Sequence, residues 1–171
     1  MERGTKRYTR SQVDAVHACR KVIDGQRMRL ERDGFTVAFT EGGEGVIVHA
    51  DEESLAQAVL NLVSNAEKYS PTVKEIEVEV SSRAGWAEIH VRDRGVGVPD
   101  ALREKIFQEF YRVDDSLTSR VKGTGLGLTI ARRIIRDHGG DISCAPRPGG
   151  GSDFTIRLPL GRREDAAWEG E

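Results

Sequence analysis

The stretch NLVSNAEKYSP, residues 61–71, decides how the middle of this chain folds. It completes an apolar run in which hydrophobic residues recur at spacings of three and four, and this period predicts one long helix from about Asp51 to Tyr69. Pro71 disfavours helical conformation in the residue before it, which ends the helix. The predicted buried stripe consists of Leu55, Val59, Leu62, Ala66 and Tyr69.

Three polar side chains lie together beside this stripe. Asn61 and Asn65 are one helical turn apart, and Lys68 follows on the same edge of the helix. Asparagine is a mediocre helix former, because its amide competes for nearby backbone groups. A solvated helix face would account for polar residues alone. The two neutral amide oxygens on this edge also suit magnesium, which prefers hard oxygen donors. The lysine cation beside them suits a phosphate group.

On both sides of this helix, the hydrophobic pattern alternates between helical and extended periods. Helical patterns cover residues 12–31 and 127–140, the second ending at a glycine pair, and a short helix-like piece covers 101–107. The predicted strands are 34–40 and 46–50, which flank the glycine-rich turn EGGEG, then 74–80, 86–93, 141–146 and 153–160. This order predicts an α/β (α+β) two-layer sandwich, in which about three helices cover one face of a mixed, mostly antiparallel sheet.

The composition is that of an ordinary globular domain. The chain has 171 residues, 37% of them hydrophobic and 32% charged, with a formal net charge of -2, so no basic surface for nucleic acid or an anionic membrane is expected. No apolar run reaches the roughly 20 residues that span a bilayer, and no signal peptide is recognised. Cys19 and Cys144 lack any C-x-x-C spacing, which indicates reduced thiols in a cytoplasm.

Two glycine-rich stretches carry further chemistry. DRGVGVP, residues 93–99, follows a predicted strand, where a carboxylate can accept a hydrogen bond from an exocyclic amine and glycines let the backbone pass close to a flat ring. In GTGLGL, residues 123–128, three alternating glycines open a helix, whose N–H groups attract phosphate. Taken alone, the first could be a common turn and the second a flexible hinge. Neither the dinucleotide fingerprint nor the P-loop pattern is present.

Taken in order, these stretches resemble the nucleotide-binding boxes of the catalytic and ATP-binding domain of sensor histidine kinases. NLVSNAEKYSP resembles the N box, DRGVGVP the G1 box and GTGLGL the G2 box. IFQEFYRVDDS, with Phe107 and Phe110, resembles the F box of an ATP lid, and GGGSDFTIRLPL resembles the G3 box and closing strand. This family belongs to the superfamily shared with DNA gyrase, the heat-shock chaperone ATPase and the mismatch-repair ATPases. The resemblance implies a Bergerat-type fold, with ATP and Mg2+ as cofactors.

The resemblance also implies a role for each matching residue. Asp93 would bond the adenine amino group, and Asn65 would ligate magnesium. Asn61, Lys68 and Arg112 would act in catalysis, with Arg112 meeting the γ-phosphate. Arg120 or Lys122 could take that last role instead. The implied nucleotide-binding set is Asn61, Asn65, Lys68, Tyr69, Asp93, Gly95, Gly97, Val98, Phe110, Gly123, Thr124, Gly125, Leu126, Gly127, Leu128 and Phe154.

The phospho-accepting histidine of this family has no counterpart in the sequence. In the family, an acidic residue follows that histidine, whereas Ala, Ala, Val and Gly follow the histidines here, which are His17, His49, His90 and His138. We therefore expect a link from a dimerisation domain over residues 1–10, the catalytic domain over 11–160 with its ATP lid at about 100–124, and a polar tail over 161–171. The acceptor histidine would lie on the dimerisation domain of the same kinase, which would serve a response regulator indirectly.

The resemblance leaves several activities open. In the superfamily's hydrolases, a glutamate one turn before the magnesium asparagine activates water, and that position is Asn61 here. An amide has no useful basicity near neutral pH, which favours a kinase over an ATPase. A degenerate nucleotide-binding scaffold and a protein-serine kinase remain alternatives. We expect an isolated monomer without nucleic-acid or direct membrane contact, located in the cytoplasm alone or as the cytoplasmic part of a membrane-bound sensor.

Overall fold

The computed structural model describes residues 6–43, 45–111 and 125–161. The helices in these ranges are α1 (Ala15–Arg32), α2 (Glu52–Lys68) and α3 (Gly127–Asp137). The strands are β1 (Ser11–Asp14), β2 (Thr36–Gly42), β3 (Ile47–Ala50), β4 (Glu75–Arg83), β5 (Trp86–Asp93), β6 (Asp141–Pro146) and β7 (Ser152–Pro159). Two short 3₁₀ turns, Asp100–Leu102 and Lys105–Phe107, follow β5. No helix in the described part of the chain is both long and apolar enough to cross a membrane.

The main sheet has five strands in the order β2-β4-β5-β7-β6. Only the β2–β4 pair is parallel, and the other three pairs are antiparallel. Along β4, Ile76, Val78 and Val80 are buried, while the residues between them are partly exposed. All three helices pack against this sheet, and its alternate residues form the core with them. The predicted two-layer sandwich is confirmed.

The long predicted helix is present as α2, with the expected limits. Its N-cap is Asp51, whose carboxylate accepts a hydrogen bond from Ser54 N at 2.9 Å. It ends at Lys68, with Tyr69 as C-cap and Ser70 buried behind it. The predicted stripe is buried except for Tyr69, which is half-buried. The helix therefore carries Asn61, Asn65 and Lys68 along the edge of its packed face.

The first helix begins three residues later than the pattern predicts, and the reason is a cap. The Asp14 carboxylate accepts hydrogen bonds from Val16 N and His17 N, so α1 begins at Ala15. The preceding residues instead form β1, which the sequence pattern did not reveal. Apolar Val13 is buried in this strand, and a buried apolar residue fits the hydrophobic pattern of a helix as well as that of a strand.

Strands β2 and β3 flank a glycine-rich turn, yet they lie in different sheets. β3 pairs antiparallel with β1, while β2 pairs in parallel with β4. A parallel pair needs a long crossover between its strands, and α2 provides it. Val37 of β2 thereby reaches the core, where it is buried. A local hairpin would have left the edge of β4 without this partner.

The uncovered face of the sheet carries charged side chains that bond across strands. Arg92 Nη1 donates to Glu77 Oε1 and Glu79 Oε2, both at 2.7 Å, and its Nε donates to Asp153 Oδ2 at 3.1 Å. His90 Nδ1 lies 3.0 Å from Asp153 Oδ1, and this hydrogen bond raises the pKa of His90. These pairs account for the glutamates that alternate with apolar residues in β4. The chemistry predicted above lies elsewhere, at one end of α2.

Candidate functional site

The Asp93 carboxylate is the central buried polar group of the candidate site. It stands at the end of β5 and is only 2% exposed. One oxygen, Oδ1, accepts hydrogen bonds from Gly95 N at 2.9 Å and from Ser152 N at 3.2 Å. Burial raises the pKa of the Asp93 carboxyl above its usual range, and the two N–H donors oppose that shift. Both donors use the same oxygen, so the second oxygen remains available as an acceptor toward a ligand.

Two glycines allow the backbone to close tightly around this carboxylate. A Cβ on Gly95 would overlap the carbonyl oxygen of Tyr69, and Val96 N donates to that same oxygen at 3.1 Å. A Cβ on Gly151, where φ is +98°, would overlap the carbonyl oxygen of Asp93. The end of α2, the end of β5 and the start of β7 therefore meet with no space for side chains. We call this region, residues 69, 70, 93–97, 151 and 152, the carboxylate corner.

The side chains predicted on α2 lie between this corner and the start of α3. Asn61 and Asn65 are half-buried, and Lys68 is exposed. Asn61 Nδ2 donates a hydrogen bond to the carbonyl oxygen of Gly127 at 3.1 Å. The helix thus contacts the carboxylate corner through the carbonyl of Tyr69 and the first turn of α3 through Asn61. This arrangement brings together the predicted N, G1 and G2 residues that the structure describes.

The second half of the candidate site is the α3 start, residues 125–129. Leu126 is the N-cap, its side chain accepts no capping hydrogen bond, and no acidic residue lies in the first turn. Gly125 has a φ of +71°, and a Cβ there would lie 3.0 Å from Phe110 Cα. A Cβ on Gly127 would meet none of the residues that the structure describes within 4 Å, apart from the helix backbone and the adjacent positions. The backbone N–H groups at this helix end therefore receive no side-chain cap from Leu126.

The aromatic residues predicted near the site divide between surface and core. Phe110 is 71% exposed and has a φ of +61°. Phe107 is buried and makes an edge contact with Phe154, with ring centroids 6.3 Å apart. Phe154 itself is 2% exposed, so it supports the site from within the core. Val98 and Leu128 pack partly against the same core.

Several predicted residues lie outside the described part of the chain. They are Arg112, Gly123 and Thr124, together with the alternative cations Arg120 and Lys122. Their roles stay predictions, as do the limits of the ATP lid. Among the residues that the structure does describe, no group of three His, Cys, Asp or Glu side chains could hold a metal ion.

Sequence reasoning missed the groups that hold Asp93 in place. Ser152 N, the Tyr69 carbonyl and Gly151 lie in stretches that resemble the N and G3 boxes, and this resemblance does not indicate the backbone contacts that they make. Arg147 was also missed: its guanidinium is buried, donates to Glu75 and Glu77, and its charge partly opposes the rise in the Asp93 pKa that burial causes. The run of three glycines before Ser152 was the available signal, since it indicates close approach of two backbones.

Known proteins with related sequences and structures include sensor histidine kinases. The sensor-like histidine kinase SenX3 of Mycolicibacterium smegmatis is 40% identical over 149 residues, which cover 86% of this chain and 39% of SenX3. The full-length structure of ShkA in complex with AMPPNP superposes with a TM-score of 0.79 at 27% identity, covering 91% of this chain and 32% of that one. The histidine kinase ThkA in complex with the response regulator TrrA gives a TM-score of 0.75 at 25% identity, covering 89% and 42%.

The chain corresponds to only part of these relatives, since it spans 27% to 39% of the length of three curated sensor histidine kinases that it matches. Residues 50–162, from the start of α2 to just beyond β7, match the family described as histidine kinase-, DNA gyrase B-, and HSP90-like ATPase. This segment contains the carboxylate corner, the polar edge of α2 and the α3 start. The chain therefore belongs to the family of histidine kinase-, DNA gyrase B- and HSP90-like ATPases.

Proposed function

We propose that this chain binds Mg-ATP and transfers the γ-phosphate to a histidine on a dimerisation domain of the same kinase. The observation that carries the proposal is Asp93, a buried carboxylate with one oxygen fixed by two backbone donors and the other available. It stands beside the polar edge of α2 and the uncapped α3 start. The sensor histidine kinases named above support the transfer step. The AMPPNP bound to ShkA supports the nucleotide.

The carboxylate corner suits adenine. Oδ1 of Asp93 is held by Gly95 N and Ser152 N, so Oδ2 can accept a hydrogen bond from the exocyclic amine. The glycine backbone next to it allows a flat ring to approach without a Cβ in the way. A carboxylate that is buried and already oriented loses little further entropy on binding, which favours a specific base contact.

The other half of the candidate site, formed by the α3 start and the polar edge of α2, suits phosphates. The α3 start presents N–H groups that side chains leave uncapped, and the helix dipole favours negative charge there. Asn65 and Asn61 supply neutral amide oxygens on one edge of α2, which fits a magnesium ion that retains most of its waters. Lys68, one turn further, is exposed and can approach a phosphate. When bound, the magnesium ion would neutralise charge on the phosphate oxygens.

Transfer requires an outside nucleophile. A nitrogen of the acceptor imidazole would attack the γ-phosphorus in line, forming a P–N bond while the bond to the β-phosphate oxygen breaks and ADP leaves. Asn61 stands where the related hydrolases keep a basic glutamate. Since an amide cannot take a proton from water, bound ATP should survive until that histidine arrives. We infer that the response regulator is served indirectly, in keeping with the ThkA–TrrA complex, and that the domain works in the cytoplasm.

The test is a calorimetric titration with ADP and ATP, each with and without magnesium, followed by incubation with a purified dimerisation domain and labelled ATP. We expect magnesium-dependent binding and an acid-labile phosphohistidine on the added domain. Binding without any transfer would favour the scaffold alternative. Rapid phosphate release without an acceptor would favour an ATPase, and an acid-stable product would favour a serine kinase. Absence of binding would contradict the proposal altogether.

A further inference from the structure

The contact between Asn61 and Gly127 joins two helices that contribute different parts of the candidate site. Gly127 is the first residue of α3, and its carbonyl oxygen is positioned to accept a helical bond from Ala131 N, directly after the bond from Ile130 N to the Leu126 carbonyl at 2.9 Å. The Asn61 amide adds a second donor to this oxygen, at 3.1 Å. The contact is long-range, since the partners are 66 positions apart in the sequence.

The chemistry of the contact specifies how the amide must be oriented. A carbonyl oxygen only accepts hydrogen bonds, so the amide must present its NH2 group to Gly127. The amide plane then turns Oδ1 away from α3, and none of the described residues donates to that oxygen. A carboxylate at this position would place an acceptor against an acceptor. The joint between α2 and α3 therefore requires a donor at position 61.

The α3 start has few other means of holding its position. Leu126 provides no side-chain cap, Gly125 and Gly127 lack side chains, and among the described residues none packs against a Cβ placed on Gly127. Apart from Asn61, the polar anchor in the described first turn is Thr129, whose hydroxyl donates to the carbonyl of Phe107 at 2.8 Å. That partner belongs to the 3₁₀ turn Lys105–Phe107, whereas Asn61 connects α3 to a core helix.

We infer that Asn61 is a positioning residue, which ties the first turn of α3 to α2 and orients its own Oδ1 even before a nucleotide binds. This role is separate from the absence of a catalytic base at position 61. The amide donates the hydrogen bond to Gly127, and in addition it cannot take a proton from water. The effect on nucleotide affinity rests on the proposed function. The tether itself, meaning the hydrogen bond from Asn61 to Gly127, does not rest on it.

The first test uses nucleotide-free protein and backbone hydrogen exchange measured by NMR. Asn61→Asp keeps the shape but replaces the donor with an acceptor. We expect exchange at Ile130 N and Ala131 N to become about tenfold faster. Asn61→Gln keeps the NH2 group and should restore part of the protection. Asn65→Asp is the matched control, because it makes the same chemical change one turn away without a contact to α3, and protection there should stay as in the wild type.

Unchanged exchange in the Asn61→Asp variant would overturn the inference. If that variant does not fold, Asn61→Ala replaces it, since the alanine removes the donor without adding charge. Faster exchange at Ile130 N and Ala131 N would again support the inference, and unchanged exchange would overturn it. A second arm measures ADP affinity without magnesium, where the loss of a metal ligand has no effect. We expect Asn61→Asp to weaken ADP binding about tenfold, and Ser64→Ala, on α2 outside the candidate site, to leave it within about twofold. Wild-type protein that fails to bind ADP would contradict the proposed function, while the exchange result would still decide the tether.

Discussion

The two halves of the candidate site are built by opposite means. In the carboxylate corner, Asp93 is buried and held by two backbone donors, and glycines pack so closely that a single added carbon would overlap a carbonyl. At the α3 start, a carbon added to Gly127 would meet nothing, and Asn61 and Thr129 make the polar contacts of the described first turn. One half is closed before any ligand arrives, and the other is open.

This difference matches the tasks proposed for the two halves. A base is a rigid, flat group of constant shape, so a preformed acceptor can recognise it with little ordering on binding. A triphosphate changes shape and charge during transfer, and a loosely held helix end can follow it. The contrast can be tested by substitutions that should have large effects in the first half and small ones in the second.

The largest effect is expected for Gly151→Ala. The new Cβ would collide with the backbone of Asp93 and Arg94, and a φ of +98° is strained for alanine. We expect a loss of about 3 kcal/mol or more in the free energy of unfolding, measured by urea denaturation. A loss below about 1 kcal/mol would show that the corner can relax, and would remove the distinction between the two halves.

Asp93→Asn should have the largest effect on binding among variants that fold. Asparagine keeps an oxygen for Gly95 N and Ser152 N but turns the other acceptor into a donor facing the adenine amine. We expect ATP affinity to fall about 10- to 100-fold in calorimetry, with no comparable loss of stability. Asp24→Asn, at an exposed position of α1, is the matched control. Equal affinity in the Asp93 variant would refute the adenine assignment.

Asn65→Ala should remove the magnesium dependence of binding. If Asn65 supplies a ligand oxygen, affinity for ATP with magnesium should fall about tenfold, while affinity without magnesium should change little. Ser64→Ala is a control on the neighbouring residue of the same helix, and both affinities should be retained there. A variant that still gains affinity on addition of magnesium would place the metal ligand elsewhere.

A pH titration of stability isolates the cost of burying Asp93. Because its pKa is raised in the folded state, the acid form contributes stability that is present below the ordinary value of 3.8 and is lost as pH rises through the folded pKa. Asparagine mimics the neutral acid at all pH values. The stability of the Asp93→Asn variant relative to the wild type should therefore increase over this range, which urea unfolding at several pH values measures. A pH-independent difference would show that burial does not govern this carboxyl.

Gly127→Ala should have the smallest effect. Among the described residues, none outside the helix backbone and the adjacent positions lies within 4 Å of the added carbon, and alanine is favoured over glycine within helices. We expect a change below about 1 kcal/mol in the free energy of unfolding, in the stabilising direction. A loss comparable with that of Gly151→Ala would mean that the α3 start is packed as tightly as the carboxylate corner.

Local patterns predicted most of the fold because they depend on near neighbours. The stripe of α2, the proline beyond its end and the alternation in β4 and β5 were all confirmed. The pattern failed where a distant partner decided the outcome. Residues 12–14 joined β1 rather than α1, because Asp14 caps the helix and β3 offers a partner strand. For the site, residue types indicated Asp93 and the α2 amides, but not the backbone groups that hold them.

The sequence by itself determined the periodicity of the helices and strands and the family to which the chain belongs. Those features reside in residue type and spacing. Only the tertiary structure decided that Asp93 is buried with one oxygen occupied, that Gly151 closes against it, and that the Asn61 amide bonds α3. These three features depend on contacts between residues that are 58 to 66 positions apart in the sequence. The spacing of residues along the chain does not indicate which distant segments come into contact.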